Sequence, residues 1–299
     1  MSPAAYDLPL RGIFLYVSQV ACFLVISILV KSLAPYFSVI ELLLVRFSFT
    51  LLVLLVIIGP KREAGFFKTR CPIDHMIRTG CGMAAIGLSF VALSEAFIAN
   101  VTAVTLSAPI IAVVLAFFVL REQIRLSRMI AVIIGFIGIL MIIKPGFGSS
   151  SPAIYAALGA AILFSFVIVW LRKLNRTEHP LRISFYYNLA GTIVFLGWAL
   201  FIGFADAWTE TPMLLGLILL LGVTGAAQQI LLSYSFRYAD ASLLAPFDYF
   251  ALPFALIVGL IFWGEIPDLI SLIGVGTIAA CGIGLVAKEF QLLRKRSAH

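Results

Sequence analysis

Apolar residues along this chain fall in long runs of about 20 positions each, the length a helix needs to cross the hydrocarbon of a bilayer. Charge clusters and Pro or Gly punctuation bound the runs and place spans at 11–30, 37–59, 74–94, 99–120, 127–144, 153–171, 182–204, 212–234, 241–262 and 269–288. The predicted fold is all-α, a polytopic membrane protein of ten transmembrane helices. The narrowest divisions are SEAFIAN, between the third and fourth runs, and FRYAD, between the eighth and ninth.

The polar positions between the runs test that count. Eighteen Lys and Arg residues fall on the side shared by the two termini, among them Arg11, Lys68, Arg70, Arg78, Arg182 and Arg237. Only Lys31 and Lys144 fall on the other side, and Arg46 lies inside the second run. Basic loops stay in the cytoplasm. Both termini are therefore expected there, in a cell (inner or plasma) membrane, and the number of spans is even.

Composition adds exclusions. With 62% hydrophobic and 12% charged residues, the chain lies far from the roughly 25% charged composition of a soluble domain. The net charge of +7 invites a nucleic-acid partner, but the basic residues sit in loops beside the membrane, where topology and anionic lipid account for them. No nucleic acid is expected as a partner. Cys22, Cys71, Cys81 and Cys281 have neither paired nor metal-type spacing, so no disulfide framework, metal site or cofactor is expected. The first run lacks an A-x-A-like cleavage site and is too long for a signal sequence, which reads as a retained helix.

The chain also repeats itself. Leu93-Ser94-Glu95-Ala96-Phe97 recurs as Leu232-Ser233-Tyr234-Ser235-Phe236, an offset of 139 residues. Each copy leads into a proline-bearing span that ends on glutamate, Pro109 with Glu122 and Pro253 with Glu265. The halves, 1–148 and 149–299, then hold five spans each, and an odd number inverts the second copy in the membrane. Glu122 accordingly ends its span on the basic side and Glu265 on the side almost free of Lys and Arg. Glu95, Glu122 and Glu265 read as helix-end charges in reach of water. Ala131-x-x-x-Gly135 and Ala280-x-x-x-Gly284 read as close helix packing.

These residues resemble a known family, the EamA-type members of the drug/metabolite transporter superfamily. The resemblance rests on ILVKSLAPYFSVIELLLVRF, SAPIIAVVLAFFVLRE, RTEHPLRISFYYNLAG and APFDYFALPFALIVGLIFWGEIPD, with Pro246, Tyr249, Gly259, Gly264 and Glu265 at the family spacing. Arg121 departs from it, standing where glycine is usual. What the resemblance implies is a ten-helix secondary transporter of small organic metabolites, often amino acids or related compounds, working by alternating access between two inverted halves. Similar members include importers of cofactor-like solutes such as S-adenosylmethionine or riboflavin.

Charges inside apolar spans are costly and so mark function or structural pairing. Arg46 lies roughly 13 Å from the outer end of its span and Asp248 roughly 10 Å from the inner end of its own, at 1.5 Å per residue. That brings them to similar heights, either as a pair that locks helices or as separate contacts to a zwitterionic substrate. Gln19, Tyr187, Asn188, Gln228 and Gln229 are further substrate-binding candidates, because amides at mid-membrane need a helix or a wet cavity to bond to. Tyr249 offers an aromatic face. Pro109, Pro246 and Pro253 are hinge candidates, since each deletes a helical hydrogen bond. His75, His179 and His299 all fall in polar segments on the cytoplasmic side, so proton coupling would use Asp248 or Glu41. The protein is expected as a monomer or homodimer with a small-molecule substrate. A membrane enzyme would need H-E-x-x-H, paired metal-binding Asp or G-x-S-x-G, and an ATP-driven pump a phosphate loop; none occurs. A channel, the third alternative, would show a filter loop or charged ring.

Overall fold

Proline sets where half of the helices start. The computed structural model describes residues 9–59, 66–108, 110–112, 114–115, 126–143, 152–174, 177–205, 208, 212–238 and 245–297. In it α1 (Pro9–Leu33), α3 (Pro72–Glu95), α6 (Pro152–Leu174), α7 (Pro180–Ile202) and α8 (Pro212–Tyr238) all open on proline. A first-turn N–H has no partner inside a helix, so proline loses nothing there and its fixed φ favours the helical start. α2 (Val39–Ile58) begins with a capping box instead. The Glu41 N–H donates to Ser38 Oγ at 3.3 Å and the Ser38 N–H returns a bond to Glu41 Oε2 at 2.8 Å. The remaining helices are α4 (Ile98–Thr105), α5 (Leu126–Ile143), α9 (Ala251–Trp263) and α10 (Leu269–Ser297), with a 3₁₀ turn, Ala245–Phe250, leading into α9. α9 stops at Gly264, whose φ of +64° suits a residue without a Cβ.

α1, α2, α3, α6, α7 and α8 are long and apolar enough to cross a membrane, and shorter apolar helices stand at the other expected spans. The chain is an all-helical polytopic membrane protein of ten helices. Two spans differ from expectation in their interior. α4 breaks at Leu106–Ser107 before residues 110–112 turn helical again. There the Ile110 N–H donates to the Ser107 carbonyl at 2.9 Å rather than to Leu106, and the Leu106 carbonyl accepts the Tyr249 hydroxyl at 3.4 Å. The ninth span is 3₁₀ over its first part, so Pro246 sits in that turn and Pro253 in the first turn of α9, where its missing N–H costs no ladder bond. Pro109 and Glu122 lie outside the described residues.

Helices from the first five pack chiefly on helices from the second five: α1 on α8, α3 on α6, α2 on both α7 and α8, α5 on α10, and α4 on α9. Shifting each helix five places along turns the α1 to α8 contact into α6 to α3, and α2 to α8 into α7 to α3, both of which occur. The two ends of the bundle are fixed by pairs of termini. At the face where α1 begins and α10 ends, the terminal face, the Arg11 guanidinium lies 4.7 Å from the Tyr238 ring at the end of α8. At the far face Lys31, near the end of α1, meets Glu265 just beyond α9.

Leu33, Leu42, Phe47, Phe90, Leu93, Ile98 and Leu221 are fully enclosed, whereas Phe136, Phe201, Val223 and Ile261 point outward, as suits lipid. Because lipid tails are as apolar as Leu, burial of apolar area drives little helix association and close packing of small residues does more. Gly138 and Gly274 make that contact between α5 and α10: a Cβ on Gly274 would lie 2.8 Å from the Gly138 carbonyl oxygen. The Ala280-x-x-x-Gly284 pattern is not where α10 packs, since nothing lies within 4 Å of a Cβ on Gly284. In α5, Gly135 does pack closely, against Ile110.

Gly274→Ala is expected to destabilise the protein by about 1–3 kcal/mol, because a backbone atom rather than a flexible tip must give way. Gly276→Ala, which meets nothing within 4 Å, is expected to be near neutral. Thermal unfolding of both detergent-purified variants checks this; equal midpoints for the two would remove the α5–α10 seam as a tight contact.

Candidate functional site

The second turn of α2 ends in two residues that need different things from their neighbours: Arg46 needs acceptors and Phe47 needs volume. Arg46 is 7% exposed. Its stem crosses α8 at Gly225, where a Cβ would lie 2.8 Å from Arg46 Cγ, so a larger residue would displace it. Its Nη2 donates to Gln228 Oε1 at 3.2 Å, and Nε is buried without an acceptor. Phe47 fits edge-on against the Tyr187 ring at 5.0 Å and stacks on Phe195 at 5.4 Å, which fastens α2 to α7.

Tyr187 links this arginine to a second one. The guanidinium carbon of Arg78, on α3, lies 3.9 Å from the Tyr187 ring centroid, and the Tyr187 hydroxyl donates to the Gly82 carbonyl at 3.3 Å. Arg78 is also 7% exposed, and its Nε and Nη1 have no acceptor. The two guanidiniums are close enough for their charges to interact. Among the described residues neither forms an ion pair. Arg78, expected among the basic loops, is instead buried within α3. The signal was available: Arg78 lies inside the predicted third span, and Gly82 four residues on shares its helix face.

Asp248 stands apart from Arg46. It accepts the Tyr16 hydroxyl of α1 at 2.8 Å, so the two expected charges have separate, neutral partners rather than each other. Gln19, three residues along α1 from Tyr16, is buried, and so is Tyr249. Gln229 donates to Ser184 Oγ at 2.9 Å, while Asn188 turns back to the Ser184 carbonyl of its own helix at 2.8 Å. The fold thus brings Arg46 to Gln228 and Arg78 to Tyr187, and places Asp248 with Tyr16 in a second polar group.

Carboxylates hold the two faces. At the far face Glu265 pairs with Lys31 and accepts the Ile98 N–H at 2.9 Å, while Lys31 also donates to the Ala96 carbonyl at 2.7 Å. Glu265 is 6% exposed, so the expected solvated helix-end charge is in fact enclosed. Glu41 is fully used: Oε2 accepts from Ser38, and Oε1 accepts the Ala205 N–H at 2.8 Å and Trp208 Nε1 at 2.6 Å. At the terminal face Glu178 accepts Thr69 Oγ1 at 2.8 Å, the Arg70 N–H at 3.2 Å and Arg182 Nη1 at 2.5 Å. Burial pushes the Glu178 carboxyl up, but those hydrogen bonds and the Arg182 charge outweigh it and hold it below 4.5. Beside it opens a cleft of about 510 Å³ lined by Lys68, Arg70, Cys71, Thr177, Glu178 and Arg182. No group of three or more His, Cys, Asp or Glu among the described residues could hold a metal ion.

The profile of the EamA-like transporter family matches this chain twice, over residues 10–144 and 151–287. The chain is similar to an S-adenosylmethionine uptake transporter of Rickettsia bellii, 27% identical over 86% of each chain. It is likewise similar to the pseudopaline exporter CntI of Pseudomonas aeruginosa, 28% identical over 92% of this chain and 96% of the relative. A solved crystal structure at 17% identity shares the fold with a TM-score of 0.58, covering 96% of this chain and 99% of that one.

The depressed Glu178 carboxyl contributes stability that is present above its ordinary value of 4.5 and lost as pH falls below it. Glu178→Gln is therefore expected to lower the thermal midpoint at neutral pH, with the gap to wild type closing as the pH drops below about 4.5. Unfolding scans at several pH values check it, and a gap that persists unchanged into acid would contradict the assignment.

Proposed function

Because the chain belongs to the EamA-like transporter family, we propose that it is a secondary active transporter that carries small organic metabolites, amino acids or compounds related to them, across the cell membrane. Its two five-helix repeats, 1–148 and 149–299, alternate in opening a shared central site to either face. The terminal face is the cytoplasmic one, which puts the loop-side Lys and Arg, Arg78 excepted, where basic loops reside.

One observation carries this reading: Arg46 and Asp248 lie inside the bundle without, among the described residues, the opposite charge that a purely structural role would give them. Placing an arginine or aspartate at mid-membrane costs about 2.5–3.5 kcal/mol even on insertion scales. Arg46 and Asp248 would offset much of that by pairing, and they bond to Gln228 and Tyr16 instead. A site that exchanges water for substrate supplies the missing partner. Asp248 is the carboxylate placed to carry a coupling proton, because Glu41 already accepts from Ser38, Ala205 and Trp208.

A second reading, import of a cofactor-like solute such as S-adenosylmethionine, is favoured by relatives that bear that activity in their names, with 27% identity over 86% of this chain for one of them. The two readings differ in substrate, and the second also fixes the direction as import.

Arg46→Gln and Asp248→Asn are each expected to reduce counterflow in proteoliposomes at least tenfold, since a hydrogen bond to a charged group is worth about 1.5–3 kcal/mol. Asp248→Asn should also abolish any response to an imposed pH gradient. Amino acids and S-adenosylmethionine serve as parallel substrates, with size-exclusion profiles to verify folding. Near-normal counterflow in both variants would defeat the site assignment.

A further inference from the structure

We propose that Arg46 and Arg78 together form an oxyanion site, binding a carboxylate or phosphate group of the cargo, with Tyr187 as the wall between them. This rests on the transporter reading only in taking the bound molecule to be the cargo.

The argument is one of donors and acceptors. Buried polar groups in proteins are almost always hydrogen-bonded, so an unpaired buried donor calls for an explanation. Here three guanidinium nitrogens, Arg46 Nε and Arg78 Nε and Nη1, are enclosed with no acceptor among the described residues. Three other cations in this fold are answered by carboxylates: Lys31 by Glu265, Lys173 by Asp74, and Arg182 by Glu178. Among the described residues Arg46 meets the neutral Gln228 and Tyr187, and Arg78 the face of Tyr187, with no carboxylate at either. A ring face satisfies the charge of a guanidinium but takes none of the N–H donors along its edge.

The chemistry of what fits is then narrow. Two like charges near each other disfavour a cationic ligand and leave a neutral one with nothing to compensate them. A carboxylate or phosphate brings negative charge together with several acceptor lone pairs, and its geometry matches the planar donor fork of arginine. Close packing fixes both partners of the site: Gly225 on α8 lies against the Arg46 stem and Gly82 on α3 against the Tyr187 ring, so a larger residue at either position would displace them. The arginines come from α2 and α3 and their contacts from α7 and α8, so the ligand would join helices of both halves.

The test uses the full-length protein in detergent, with succinate and inorganic phosphate as probes at constant ionic strength against chloride. Binding of either, measured by thermal shift and calorimetry, is expected to weaken at least tenfold in Arg78→Gln and in Arg46→Gln. Lys173→Gln, a change of exposed charge on the terminal face, should leave binding unaltered. Arg78→Lys keeps the charge and loses the fork; it guards against misfolding and should bind more weakly than wild type. The tighter of the two probes assigns carboxylate or phosphate. Binding that is absent from wild type, or unchanged in the Arg46 and Arg78 variants, overturns the oxyanion site and leaves the transporter reading standing. Probe binding that depends on both arginines, with no counterflow of any tested substrate by wild type, keeps the site and removes the transporter reading.

Discussion

A charge taken out of water must be answered inside the protein, and in a bilayer there is no solvent to answer it later. That constraint orders this structure more than any apolar contact does. Lipid and side chains are nearly equivalent as surroundings for Leu or Phe, so the apolar residues set only the general enclosure. The charged and amide side chains determine which helices must meet. Glu265 is answered by Lys31 and a backbone N–H of α4, Glu41 by donors beyond α7, and Glu178 by the segment leading into α3.

All three of these carboxylates reach across the molecule to a backbone N–H of the other half: Ile98, Ala205 and Arg70 respectively. Two of the ties stand at the far face and one at the terminal face. Separating the halves at either face would require giving up a charge-assisted bond to the main chain, and closing that face would restore it. The ties stand at the edges of the bundle, whereas Arg46 Nε and Arg78 Nε and Nη1 lie inside it with no acceptor among the described residues.

Much of the fold was legible in the chain. The apolar runs correspond to the observed helices because length and hydropathy are local properties, and proline marks starts wherever a first-turn N–H has no partner. The candidate site was legible only in part. Arg46 and Asp248 stood out as charges inside spans, but their separation into two polar groups did not, since it depends on whether Gln228 and Tyr16 are nearer than each charge is to the other. Arg78 was hidden by its neighbours in sequence, Lys68 and Arg70, which made it resemble one more basic loop residue. Glu265 was hidden by its place at a helix end, where most charges are wet.

By itself, then, the sequence determined that this is a membrane bundle of ten helices, which residues within it are charged, and where helices begin. These follow from chemistry that acts over a few residues or from the thickness of the bilayer. Only the tertiary structure decided which charges are answered. An ion pair such as Lys31 with Glu265 joins positions 234 residues apart, and an unpaired Arg78 is defined by the acceptors that fail to arrive. Both are properties of the packed helices, set by glycine contacts such as Gly225 against Arg46 and by ring contacts such as Phe47 against Tyr187.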